Sequence, residues 1–81
     1  MQYKKAGKSQ KMKFEMAWRE DRDGSWLEWR MDINKEMYGD AILVRESLQT
    51  IDFNDKIELE LLAFRQAMKS YGEICRAIQE G

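Results

Sequence analysis

The chain has 81 residues, of which 43% are hydrophobic and 36% charged, and its net charge is −1. This length supports one domain, and the composition excludes a collagen-like or fully disordered chain. The single cysteine excludes an internal disulfide. Because there is also no histidine, we expect no metal site. We expect no cofactor either. No apolar run approaches the ~18 residues of a membrane span and no signal peptide is recognisable, so we expect a cytoplasmic protein without membrane contact.

Residues 1–10 are predicted to form a flexible basic arm, because they show no hydrophobic period. Residues 1–14 contain five lysines and no acidic side chain. These candidate nucleic-acid contacts are Lys4, Lys5, Lys8, Lys11 and Lys13. Residues 11–81, predicted to form a single α+β domain, carry more acidic than basic side chains. An acidic body repels phosphates, so nucleic acid is the less favoured partner.

Residues 12–34 alternate between apolar and polar side chains, which predicts two half-buried strands in an antiparallel β-hairpin. The predicted apolar face contains Met12, Phe14, Met16, Trp18, Leu27, Trp29, Met31 and Ile33. Asp23-Gly24 lies between the two runs and favours a type I′ turn. A turn centred on this dipeptide places Trp18 opposite Trp29. It also places Glu15 opposite Asp32, an unfavourable like-charge pair.

Residues 36–50 are predicted to form a shorter helix. Met37, Ala41, Val44 and Leu48 recur at spacings of three and four, as on one face of a helix. The run Ala41–Val44 also fits a short buried strand, and periodicity alone does not exclude that alternative.

Residues 55–79 are predicted to form a long amphipathic helix, with Asn54 or Asp55 as its cap and Glu58 in capping-box position. Its apolar seam consists of Ile57, Leu61, Phe64, Met68, Tyr71, Cys75 and Ile78. Steps of four and three are typical of a coiled-coil seam. The helix would be ~38 Å long, more than one hairpin covers.

An uncovered helix end predicts either a homodimer, the commonest closed assembly, or a bend at Gly72 that returns the tail to its own chain. The residues predicted to form the dimer interface are Met68, Tyr71, Cys75 and Ile78.

Catalysis is not expected. Without histidine, the most common general base near neutral pH is missing. Cys75 lies on the helical seam with no base nearby in the sequence, which is typical of a small buried hydrophobic residue rather than a nucleophile.

Trp26 differs from the other two tryptophans, because it falls on the charged face of the predicted hairpin. Packing over an arginine stem would explain this position. A role as a binding anchor would also explain it, since Trp and Arg dominate interface energetics. The predicted partner-binding residues are Trp26, Arg19, Arg30 and Glu28.

The sequence therefore predicts a non-enzymatic protein-binding module, an inhibitor or adaptor that acts on a larger protein machine. Small accessory proteins of phages and mobile elements are often of this kind. One alternative is a nucleic-acid-binding protein that uses the lysine-rich arm and the hairpin. The other is an assembly protein whose main role is homodimerisation through the last helix.

Overall fold

The computed structural model describes residues 12–80 and shows an α+β fold. Its elements are β1 (Lys13–Asp21), β2 (Gly24–Ile33), β3 (Glu36–Val44) and α1 (Phe53–Glu80). The strands form one antiparallel sheet in the order β1-β2-β3, and α1 packs on one face, mainly over β2. The predicted fold class, the first hairpin and the long last helix are confirmed. The predicted arm, residues 1–10, lies outside the described residues.

The first hairpin keeps the predicted faces but not the predicted partners. Arg22 and Asp23 form the turn, and Asp21 pairs with Gly24, so Trp18 lies opposite Leu27 and not opposite Trp29. The predicted register was therefore wrong by two residues. An Asx turn explains the difference, because the Asp23 amide donates to Asp21 Oδ1 at 2.8 Å. Gly24 then takes the positive φ of 149° that follows the turn.

The observed register also removes the like-charge conflict of the predicted one. Glu15 lies opposite Arg30, and Lys13 lies opposite Asp32. Opposite charges across strands contribute ~0.2–1 kcal/mol, whereas like charges destabilise. A shift of two residues keeps every side chain on its face, because side chains alternate with a period of two. Charge and turn chemistry thus select between registers that the hydrophobic pattern does not distinguish.

The predicted helix over residues 36–50 was wrong, because Glu36–Val44 form a strand. Asn34 and Lys35 have φ values of 54° and 67°, as a two-residue type I′ turn requires, and this turn returns the chain along β2. The alternative of a strand over Ala41–Val44 was right, and the strand begins earlier, at Glu36.

Hydrogen bonds from the sheet hold the connection between β3 and α1. Glu20 Oε2 accepts from the Ser47 hydroxyl and from the Leu48 amide, each at 2.8 Å. The fully buried Ser25 donates its hydroxyl to the carbonyl oxygen of Glu46. These bonds tie the connection to β1 and β2 and so direct α1 back over the sheet.

The helix α1 begins two residues before the predicted start. The Lys56 amide donates to the Asp52 carbonyl oxygen at 3.0 Å, which makes Asp52 the N-cap residue. The predicted caps were wrong, since Asn54 and Asp55 lie within the first turn of the helix. The negative charge of Asp55 still stabilises the helix there, through its interaction with the helix dipole. The helix continues without a break through Gly72 and is ~42 Å long.

The core lies between β2 and two alanines of α1. Ala63 and Ala67 are fully buried, and their small side chains bring the helix close to the sheet. The strand β2 contributes Leu27, Trp29, Met31 and Ile33, all buried. The predicted seam is rotated away from this contact, because Leu61, Phe64 and Ile78 are 52%, 46% and 46% exposed.

Three aromatic side chains of the sheet contribute differently to its packing with α1. The Trp18 indole donates to Glu60 Oε2 at 2.8 Å. The rings of Phe14 and Phe64 meet edge to face, with centroids 5.7 Å apart. Trp29 is buried, and its indole N–H finds no acceptor within residues 12–80. An unpaired buried donor costs ~1–3 kcal/mol, so Trp29 stabilises the core through its apolar area alone.

We expect Gly39→Ala to lower the free energy of unfolding by ~1–3 kcal/mol. An added Cβ would lie 2.6 Å from the Trp29 carbonyl oxygen, and that backbone cannot move without disturbing the β2–β3 ladder. Gly72→Ala is the matched control, because a Cβ there meets nothing within 4 Å. We expect it to stabilise the helix by up to ~1 kcal/mol. Urea unfolding followed by circular dichroism measures both, and equal effects would contradict the close approach of β2 and β3.

Candidate protein-binding surface

The sheet face opposite α1, here called the outer face, is covered by no other element among residues 12–80. Each strand contributes four residues to it, and the register places them in rows across the sheet. From β1 these are Lys13, Glu15, Ala17 and Arg19; from β2, Trp26, Glu28, Arg30 and Asp32; from β3, Met37, Gly39, Ala41 and Leu43. The outer face is therefore a mixed surface, with charges concentrated on β1 and β2 and apolar or small side chains on β3.

One row of the outer face combines an arginine, a tryptophan and a leucine. Trp26 on the central strand β2 lies between Arg19 on β1 and Leu43 on β3. Leu43 is 73% exposed, whereas Trp26 is half-buried. The row thus presents two neighbouring apolar side chains to solvent beside a positive charge.

Glu28 joins this row to the next one. Its Oε1 accepts a hydrogen bond from the Trp26 indole at 3.0 Å, and its Oε2 accepts one from Arg19 Nε at 3.1 Å. The carboxylate therefore holds the indole and the guanidinium in one arrangement. Three of the four predicted partner-binding residues form this network, and the fourth, Arg30, is exposed two positions further along β2.

The electrostatics of this network are visible in the pKa of Glu28. The hydrogen bond from Trp26 and then that from Arg19 lower this pKa below its ordinary value, with the charges of Arg19 and Arg30 acting in the same direction. Glu28 therefore stays ionised at neutral pH.

Two tyrosines outside the outer face have raised pKa values. The Tyr38 hydroxyl donates to Glu36 Oε2 at 2.7 Å, and this bond raises the tyrosine's pKa. A hydrogen bond with Cys75 raises the pKa of Tyr71 on α1. Both tyrosines are protonated at neutral pH, so neither supplies a base to the outer face.

A shallow depression of about 420 Å³ lies beside Arg30 at the β3 edge of the outer face. Gly39 forms its floor, and the Arg30 side chain lies 3.1 Å from the position a Cβ would occupy. Met37, 58% exposed, borders it. The Arg30 side chain therefore packs over Gly39, and the depression lies beside this contact.

Sequence reasoning missed the β3 part of this surface. Met37, Gly39 and Leu43 were assigned to a helix, so their place beside Trp26 and Arg30 was not foreseen. The signal that would have found them is Asn34, which favours positive φ in a turn, followed by the strand-favouring residues Tyr38, Ile42 and Val44.

The remaining predicted sites are distributed differently. Lys4, Lys5, Lys8 and Lys11 lie outside the described residues, and Lys13 is exposed on the outer face. Of the predicted dimer interface, Met68, Tyr71 and Cys75 are half-buried and Ile78 is exposed. Within residues 12–80, no three acidic or cysteine side chains are grouped so that they could hold a metal ion. The described helix is not apolar enough to cross a membrane.

Comparison with protein-family models gives no match for this chain, and comparisons with curated proteins and with solved structures give none either.

The Trp26–Glu28–Arg19 network should open in acid. The folded-state pKa of Glu28 lies below the ordinary value of 4.5, so the network is complete above that pH and is lost as pH falls through the lowered value. The Trp26 indole N–H resonance, followed by NMR from pH 7 to pH 2, should move with a midpoint below 4.5. Glu28→Gln is the control, because its carbonyl still accepts from the indole but does not titrate. A midpoint at or above the ordinary value, or the same transition in the control, would contradict the network.

Proposed function

We propose that this chain is a non-enzymatic protein-binding module, an inhibitor or adaptor of a larger protein, and that it binds through the outer face. The observation that carries the proposal is the Trp26 indole, held by Glu28 beside the exposed Leu43. The proposal places the centre of the interface on this pair, with Arg19 and Arg30 around it.

An indole that is already oriented is favourable for binding. A partner gains the contact area of Trp26 and Leu43 without first ordering the tryptophan, which lowers the entropic cost of association. Trp and Arg are also the side chains most often found where binding energy concentrates. The small residues Ala17 and Ala41 lie beside Glu28 in the next row and leave room for the backbone of a partner.

The balance of charge favours a protein over a nucleic acid as the partner of this face. Arg19 is paired with Glu28 at 3.1 Å, and Lys13 and Arg30 lie opposite Asp32 and Glu15. Each positive side chain therefore has a carboxylate beside it, which weakens attraction for phosphates. The nucleic-acid alternative stays a prediction that rests on the lysines of the arm.

Substitutions in the outer face should abolish binding without unfolding the protein. A partner is captured from cell extract on the immobilised chain, purified, and its affinity measured for each variant. We expect Trp26→Ala to weaken binding by ~2 kcal/mol or more, about 30-fold, because the variant loses the anchor. Leu43→Ser should weaken it less.

The control is Leu62→Ser, which removes an equally large apolar side chain, 43% exposed, from α1. This variant should keep the affinity of the unchanged protein. Circular dichroism should show the same fold for all three variants. If Trp26→Ala and Leu43→Ser retain full affinity while Leu62→Ser loses it, the partner binds on the helix side and the outer face is not the interface.

A further inference from the structure

The helix α1 leaves a continuous apolar stripe uncovered on its β1 side. The stripe consists of Ile57, Leu61, Phe64 and Met68, spaced by four, three and four residues. The first three are 40%, 52% and 46% exposed, and Met68 is half-buried. Four large side chains on one face of a two-layer protein are more than scattered surface hydrophobics.

The apolar side of β1 extends this stripe onto the sheet. Because α1 lies mainly over β2, Phe14, Met16 and Trp18 of β1 are only half-buried. The edge-to-face contact of Phe14 with Phe64 joins the two surfaces. Stripe and strand together form an apolar step, with α1 as its wall and β1 as its floor.

Two charged residues, Glu58 and Arg65, border the stripe on the flank turned away from β1, where they line a depression with Val44. Glu58 and Arg65 are seven residues apart, so they lie on the same flank two turns from one another. Both are exposed, and neither belongs to the one ion pair found within residues 12–80, Arg19 with Glu28. Along the helix axis, Glu58 precedes Leu61 by three residues and Arg65 follows it by four, so the two charges flank the middle of the stripe.

We propose that a second copy of this chain covers the step, with the two α1 helices antiparallel and related by a two-fold axis near Leu61 and Phe64. The charges select this occupant and this direction. Antiparallel helices place Glu58 of each copy beside Arg65 of the other, so the contact is attractive twice. In a parallel pair the two residues would lie on opposite edges of the seam, so Glu58 of one copy would not meet Arg65 of the other.

This arrangement moves the dimer interface toward the start of α1, away from the residues that the sequence pattern alone indicated. A two-fold axis midway between Leu61 and Phe64 places Gly72 opposite Phe53, the first residue of α1 in the second copy. Cys75 and Ile78 then lie beyond the end of the partner helix. The inference is independent of the outer face, which lies on the other side of the sheet and stays open in both copies.

Reciprocal charge exchange tests the proposal on the full chain, with sedimentation velocity and equilibrium as the measurement. The unchanged protein should be a dimer at micromolar concentration. Glu58→Lys and Arg65→Glu should each weaken self-association at least tenfold, because each variant places two like-charged pairs across the interface. An equimolar mixture of the two variants should form a heterodimer, and the double variant should again form a homodimer, since both restore two attractive pairs.

Arg76→Glu is the matched control, a charge reversal on the same helix that lies beyond the partner helix and should leave the dimer intact. Leu61→Asp should give a folded monomer with unchanged helical circular dichroism, because Leu61 is 52% exposed in one copy. The proposal is overturned if the unchanged protein is monomeric at high micromolar concentration. It is equally overturned if the single exchanges leave the dimer unaffected, if the mixture does not associate, or if Leu61→Asp remains dimeric. None of these outcomes depends on binding to the outer face.

Discussion

The contact between the apolar side of β2 and the alanines of α1 is the one on which the rest of the structure depends. Ala63 and Ala67 have no exposed surface, and neither do Leu27 and Met31 beneath them. Because alanine is small, the helix approaches the central strand closely, and larger residues on α1 project sideways. The same contact therefore buries the apolar side of β2 and leaves the apolar side of β1 half-buried.

The three tryptophans show how one residue type takes three roles through its surroundings. Trp29 contributes apolar area to the core and leaves its indole N–H without an acceptor among the described residues. Trp18 uses the same group to bond Glu60 and so connects β1 to α1. Trp26 bonds Glu28 on the opposite face. Trp26 combines an oriented indole with the exposed Leu43 on the sheet face that α1 does not cover, which is why the proposed function rests on it.

The two candidate interaction surfaces differ in chemistry as well as in position. The outer face mixes paired charges with a small apolar centre, as is common where proteins associate reversibly. The apolar step beside α1 is larger in side-chain volume and has few charges, as is common where copies of one chain associate permanently. Because the surfaces lie on opposite sides of the sheet, a dimer formed at the step would present two outer faces at once.

The α+β class, the faces of β1 and β2, and the long last helix could be predicted from the amino-acid pattern, because alternation and helical periodicity are local consequences of backbone geometry. The same pattern predicted that Trp26, Arg19, Glu28 and Arg30 share one face of the hairpin, because alternate residues of a strand point to the same side of the sheet. Three features could not be predicted this way: Glu36–Val44 pair with β2, Trp18 lies opposite Leu27, and alanines rather than the apolar seam of α1 face the sheet. These choices depend on ladder pairing, cross-strand charge and the distance between helix and sheet, which act between residues far apart in the chain.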